Sequence, residues 1–208
     1  YIALLGWAPK GENEIFSLEE LIKEFDIHGL SKSPAIFDPL KLKAINAKYI
    51  KKLSPEKFME YAVPYIRQTV KREDVDLARI CSLLQDRTEV FTDIPETVDF
   101  IDSLPEYDTS LYCHKKMKTN EENSLESLKE VLPVLESIDE ADWNEETLHD
   151  KLFELIGKMG VKNGIILWPL RVAVSGKAFT PGGGIEICAL IGKADSLERV
   201  KKGIQKLS

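Results

Sequence analysis

The sequence predicts an all-α protein of two or three packed helical subdomains, and three observations carry that prediction. Apolar residues recur at helical spacing in segment after segment. Several of those segments open on a capping residue, often with proline directly behind it, as at Asp38-Pro39 and Ser54-Pro55. Period-two alternation is confined to Ile165–Leu167 and Val172–Val174, and both lie in apolar runs that also fit a buried helix.

Gly6-Trp7-Ala8-Pro9 ends the first segment, and Lys10-Gly11-Glu12-Asn13 reads as a loop. Ser17 then caps a helix whose capping box closes at Glu20, with Phe16 placed to staple onto Leu21. Leu18, Leu21, Ile22 and Phe25 follow at helical spacing. Asp38-Pro39 opens a helix through Leu40–Tyr49, and Ser54-Pro55 opens another carrying Phe58, Tyr61, Ala62 and Tyr65. Pro64 inside that pattern predicts a kink or a break. Asp74 or Asp76 starts the next, with Leu77, Ile80 and Leu84 on one face, leading to Gln85-Asp86-Arg87. Asp93–Pro105 is acidic and proline-bounded, with room for one short helix.

His114-Lys-Lys-Met-Lys118 is a small basic cluster. A helix from Ser124 places Leu125, Leu128, Leu132 and Leu135 on one stripe that Pro133 disturbs. Trp143-Asn144 precedes a cleaner helix through Leu148, Leu152, Leu155, Ile156 and Met159, with Gly160 as its stop. Gly164–Gly192 is apolar on both flanks but holds Arg171 and the turn Thr180-Pro181-Gly182-Gly183-Gly184. Thr180-Pro181 reads as N-cap plus first helical residue. A last helix runs from about Ser196 to Leu207, with Leu197, Val200 and Ile204 inward. A composition shift near Lys52–Ser54 and a second near Asp102–Tyr107 divide the chain into 1–53, 54–104 and 105–208.

The chain has 208 residues, 43% hydrophobic and 30% charged, enough for one large or two small cores. No apolar run is long enough to span a bilayer. Tyr1-Ile-Ala-Leu-Leu-Gly-Trp7 lacks the basic start and cleavage site of a signal peptide, and Tyr1 reads as a mid-chain position of a larger protein. Three scattered cysteines, Cys81, Cys113 and Cys188, argue against a disulfide framework and fit the reducing cytoplasm. The net charge of −7 is unevenly spread. Residues 1–72 carry 12 basic and 9 acidic side chains, net +3; residues 73–160 carry 8 and 23, net −15; residues 161–208 carry 8 and 3, net +5. The two ends can face phosphate, while the acidic middle either faces water as solvated helix surface or offers a protein-binding face.

Catalytic chemistry finds little support. Cys113-His114 has no second ligand pair at the spacing a structural zinc needs. No nucleophile sits in a G-x-S-x-G turn, and Gly182-Gly183-Gly184 lacks the P-loop pattern. His28 and His149 lie in charged helical surroundings and read as surface residues. Arg87 reads locally as a surface salt bridge with Asp86 or Glu89. Trp168 reads as core, and Arg171 as either a neutralised buried charge or a guanidinium presented, beside bare glycine backbone, to a flat polar ligand.

Taken together, these segments resemble bacterial glutamyl-tRNA synthetases. The resemblance is carried by Trp168-Pro-Leu-Arg-Val-Ala-Val-Ser-Gly176, Thr180-Pro-Gly and Glu186-Ile187, by Tyr1-Ile-Ala-Leu-Leu-Gly-Trp with Glu14-Ile-Phe-Ser-Leu-Glu-Glu-Leu21, and by Phe37-Asp38, Lys41-Leu42 and Asn46-Ala-Lys-Tyr49-Ile50. It implies the stem-contact and anticodon-binding region of a class I aminoacyl-tRNA synthetase. The family's catalytic Rossmann domain, with its HIGH and KMSKS motifs, ATP and Mg, lies upstream; neither motif occurs here, so no catalytic residue, cofactor or metal is expected within the chain. The partner implied is glutamate tRNA, bound by a cytoplasmic monomer with no role at membranes or DNA. Residues 1 to about 55 would meet the inner corner of the L, and the rest the anticodon loop.

Residue by residue, Arg87 matches the position that reads the third anticodon base, where arginine resembles the type that charges only glutamate tRNA and glutamine the type that also accepts glutamine tRNA. Arg171 matches the arginine that stacks on or pairs with the first base. Thr180, Pro181 and Gly183 match the loop beside the central base. The family often has a bulky Leu-Phe after Pro-Gly, whereas Gly183-Gly184 and one extra residue before Glu186 stand here, leaving the main chain to contact that base. Lys162, Lys177 and Lys193 are expected to support phosphate.

Overall fold

The computed structural model describes residues 1–208 except Glu12 and Ser33, so the loop reading at Glu12 lies outside the described residues. Among the described residues there are eleven α-helices and no strands, only the isolated bridges Trp7–Leu30 and His114–Thr119. The all-α expectation holds.

Helices α1 (Ile2–Gly6) and α2 (Leu18–Glu24) bury no residue. α2 forms through its predicted capping box: Glu20 N–H donates to Ser17 Oγ, and Ser17 N–H to Glu20 Oε2 at 2.7 Å. α3 (Pro39–Lys51) is capped by Asp38, and α4 (Pro55–Thr69) by Ser54, each with proline at its start as read. α5 (Leu77–Gln85) is capped by Asp76 rather than Asp74. α6 (Ile94–Val98) is followed by a single 3-10 turn, Asp99–Ile101. The larger C-terminal set is α7 (Glu121–Glu136), α8 (Glu145–Met159), α9 (Asn163–Ser175), α10 (Gly184–Ile191) and α11 (Lys193–Leu207). Asn144 caps α8, and Gly160 closes it in the left-handed conformation at φ 65°.

Four local readings need correction. Pro64 and Pro133 do not break their helices; α4 and α7 run through them. Each proline removes one N–H, but the carbonyls left over belong to the exposed Glu60 and Lys129, where water can serve them. The packed faces, Phe58, Ala62 and Ile66 in α4 and Leu128, Val131 and Leu135 in α7, hold the helices together. α7 begins three residues earlier than Ser124, at Glu121, because Asn120 forms a reciprocal cap with Asn123. α11 begins at Lys193, ahead of Ser196.

The fourth correction concerns the glycine turn: Thr180-Pro181 does not open a helix. Thr180 Oγ1 donates to Gly182 O at 2.6 Å, within its own loop. α10 starts at Gly184 behind Gly183, whose N–H donates to Glu186 Oε2 at 3.0 Å. The loop is thereby folded back on α9, and a Cβ at Gly184 would lie only 3.0 Å from Arg171 N and from Leu170 Cγ.

One apolar cluster extends from Ile50 to Val200, across both the 54–104 and 105–208 segments. Pro169 sits inside α9, and the carbonyl it strands, Ile165 O, accepts from Ser127 Oγ at 2.8 Å. Arg199, only 5% exposed, donates to Phe100 O, Val174 O and Ile101 O at 2.8, 2.8 and 3.1 Å. Arg72 bridges Asp74 and Asp195 at 2.7 and 2.6 Å. These contacts fix α9 and α11 against the turn after α6, and so set where the 176–184 loop lies.

Candidate nucleic-acid interface

Arg87 follows the last turn of α5, where a cation also answers the helix's carbonyl end; its own N–H donates to Leu84 O at 2.8 Å. Its side chain is exposed, and the salt bridge to Asp86 or Glu89 does not form. Instead Nη1 donates to Thr180 O at 2.7 Å across 93 positions of sequence. The remaining guanidinium donors stay at the surface.

Arg171 reaches the other end of the same loop. α9 presents it half-buried, with its guanidinium 5.5 Å from the Trp168 ring centroid. Trp168 is core, as read, and its Nε1 donates to Leu111 O at 2.9 Å. Burial, then the proximity of Arg87, press the Arg171 pKa below its ordinary value, while Glu186 opposes them. The two arginines therefore feel each other's charge. Among the described residues, the Arg171 guanidinium makes no hydrogen bond or ion pair, so its fork is available to a ligand.

Arg171 lines a cavity of about 420 Å³ with Trp168, Gly183, Gly184, Glu186, Met117 and His149 among its walls. His149 is exposed, as expected, and stacks on Phe153 with centroids 4.0 Å apart and planes 21° apart. His114 lies against Trp168 at 4.1 Å and accepts the Met117 N–H at its Nδ1. That tight turn places Met117 in the wall and leaves Lys115, Lys116 and Lys118 exposed beside it. The sequence showed this basic cluster but gave no reason to join it to Arg171. Glycine at 164 leaves room for the turn to pack closely, since a Cβ there would lie 2.9 Å from Met117 Sδ and 3.2 Å from its Cβ.

A second hollow, of about 460 Å³, opens on the Arg87 side of the loop and is lined by Asp93, Glu96, Thr97, Phe179, Thr180 and Pro181. Thr180 and Pro181 are buried along most of their surface, and Gly183 is half-buried between the two hollows. A larger hollow of about 570 Å³ lies between α4 and α5, beyond Gln85, and reaches neither arginine.

The three lysines separate. Lys162 directly precedes α9, exposed, next to Asn163 of the Arg171 cavity. Lys177 pairs with Asp99 at 2.8 Å and donates to Glu96 O at 2.6 Å. Lys193 donates to Glu136 O and Ile138 O at the carboxyl end of α7, where helix carbonyls attract a cation. Of the three, Lys162 alone is exposed.

The comparisons bear on this geometry. The family model described as the anticodon binding domain matches residues 57–204. This chain belongs to the anticodon-binding domain family. The chain is 58% identical over 207 residues to the glutamate–tRNA ligase of Clostridium tetani and 53% identical over 207 residues to that of Clostridium acetobutylicum. Each alignment covers 100% of this chain and 42% of the relative, so the anticodon-binding domain and its N-terminal flank span less than half the relatives' length. A crystal structure of a glutamate tRNA ligase from Elizabethkingia meningosepticum, in complex with its amino acid, superposes at TM-score 0.78 with 27% identity. It covers 100% of this chain and 40% of that one. The Elizabethkingia anophelis glutamate-tRNA synthetase gives TM-score 0.76 at 25% identity, covering 98% and 39%. Among the described residues, no group of three or more His, Cys, Asp or Glu could hold a metal ion, and no helix is long and apolar enough to cross a membrane.

Proposed function

We propose that the chain recognises the anticodon loop of glutamate tRNA as part of a cytoplasmic glutamate–tRNA ligase, with ATP, Mg and the attachment of glutamate handled by residues outside it. The supporting observation is the convergence of Arg87 and Arg171 on opposite ends of the Thr180–Gly184 loop, one exposed and one half-buried. An open RNA loop offers unpaired bases that stack on guanidinium planes or pair through their edges. Arg171, over Trp168 and beside glycine backbone, takes the first anticodon base; Arg87 takes the third; the main chain at Thr180, Pro181 and Gly183 faces the central one. Lys162 and the Lys115–Lys118 turn supply the salt-sensitive phosphate term. Residues 1–53 meet the inner corner of the tRNA. The protein works as a monomer.

The acidic middle favours a solvated role over partner binding, because several of its carboxylates already have cations: Glu145 pairs with Arg79, Glu136 with Lys201 and Glu154 with Lys158.

The test is selectivity. In the ligase that carries this chain, Arg171→Ala should lower charging efficiency with glutamate tRNA at least tenfold, the loss of about one stacked base. Arg87→Gln should narrow the preference for glutamate over glutamine tRNA. Unchanged selectivity and efficiency in both variants would show that these arginines do not read the anticodon.

A further inference from the structure

Phe179 is 88% exposed, and among the described residues every other exposed large apolar side chain lies at or before Tyr61. A single exposed apolar ring is ordinary on a protein surface, and what sets this one apart is how it is held and what lies beside it.

The loop does not leave it there by slackness. Gly176 ends α9 in the left-handed conformation at φ 66°, packed where a Cβ would lie 2.9 Å from Tyr107. Ser175 Oγ donates to Arg171 O at 2.7 Å and accepts from Lys177 N–H at 3.1 Å. Lys177 is tied to Asp99 and Glu96 O, and Thr180 O is held by Arg87. The residues on both sides of Phe179 are thus fastened, and the ring between them is projected outward.

Its surroundings select a partner. Phe179 shares its hollow with Arg87, Thr97, Glu96 and Asp93, the last of which also pairs with Lys43 at 3.4 Å. An aliphatic peptide side chain would cover those charged groups without offering them partners, which is costly. A phosphate would face two carboxylates. Two neighbouring flat bases satisfy all of them: the face of one on Phe179 with an N–H edge toward a carboxylate, and the acceptor edge of the other toward Arg87.

We infer that Phe179 is a stacking platform for an unpaired nucleobase adjacent to the one Arg87 contacts, which extends the proposed anticodon-loop reading by one base. The ring fixes a neighbour of the read base, so it strengthens binding with little regard to which base is there.

The experiment uses an RNA hairpin reproducing the anticodon arm of glutamate tRNA, with the fluorescent base 2-aminopurine at the loop position 3′ of the anticodon. Wild-type protein should bind it and quench the fluorophore. Phe179→Ala should weaken binding about tenfold and abolish the quench, whereas Phe179→Trp should keep both. Because the ring touches mainly water, the Ala variant should melt at the wild-type temperature, which separates lost stacking from lost folding. If wild-type and Phe179→Ala bind equally and quench alike, the platform is wrong while the anticodon reading stands. If Arg171→Ala and Phe179→Ala both bind like wild type, the reading beneath it falls as well.

Discussion

The first fifty-three residues and the remainder of the chain use the same helix-forming devices and come to opposite ends. Ser17 caps α2 as well as Ser54 caps α4, and Asp38-Pro39 starts α3 as Ser54-Pro55 starts α4. Yet among the described residues of 1–53 only Trp7, Ile45 and Ile50 are buried, whereas α4 alone buries Phe58, Ala62 and Ile66. The early segment gathers around a single indole. Trp7 Nε1 donates to Asp26 O at 3.0 Å, Phe16 and Phe25 lie 6.1 and 5.5 Å from its ring, and a Cβ at Gly29 would lie 2.7 Å from its Nε1. Capping and propensity decide where a helix begins; burial is decided by what lies opposite, and the two regions differ only in the second.

The largest way to probe that difference is to empty the packed region. Phe58 is fully buried, against Phe91 at 5.6 Å between ring centroids. Phe58→Ala should cost about 3–5 kcal/mol of unfolding free energy, combining lost transfer with the cavity left behind. Urea unfolding followed by circular dichroism measures it. A loss under about 1 kcal/mol would mean that the cluster from Ile50 to Val200 does not act as one core.

A polar change comes next. Arg199 is the residue that sequence reading passed over, since an arginine in a charged helix near the end of a chain reads as surface. The structure places it inside, donating to three carbonyls from two other elements. Burial lowers its pKa, and Asp195 nearby opposes that shift. Arg199→Met should cost about 2–3 kcal/mol, because three buried acceptors lose their donor while the buried charge is also removed. An unchanged urea midpoint would show that water replaces the guanidinium at no loss.

What was legible follows the same division. Caps at Ser17, Asp38 and Ser54 were readable because each is decided within a few residues. Thr180-Pro181 carried the same signature and misled, because the Thr180 hydroxyl found Gly182 O and the chain needed glycine, not threonine, where α10 meets α9. Pro64 and Pro133 do not end their helices because packing on one face outweighs a missing N–H on the other. Within the site, Arg171 stood out locally, as a lone guanidinium in an apolar run beside bare glycine, whereas Arg87 was singled out only through family resemblance; 93 positions separate Arg87 from the carbonyl it holds, and nothing local points to it. Lys177 and Lys193 have the right charge for phosphate, but sign does not name a partner, and Asp99 and the end of α7 are nearer. Met117 and His149 come from separate segments that only the folded chain brings into the Arg171 cavity, and Phe179 reaches the hollow on the Arg87 side in the same way.

The smallest expected effect lies where the helical stripe was drawn with most care. Leu18, at helical spacing with Leu21, Ile22 and Phe25, has the pattern of a core-facing residue, yet it is 73% exposed. Its side chain therefore contributes little transfer free energy to this chain, and α2 keeps its Ser17–Glu20 cap whatever stands at 18. Leu18→Ser should change the unfolding free energy of the 208-residue chain by no more than about 0.5 kcal/mol. That is smaller than the effect of Phe58→Ala by roughly the ratio expected between a surface and a core deletion. A loss near 2 kcal/mol from Leu18→Ser would erase the contrast, for it would mean that the stripe on α2 is covered in solution as fully as the one on α4.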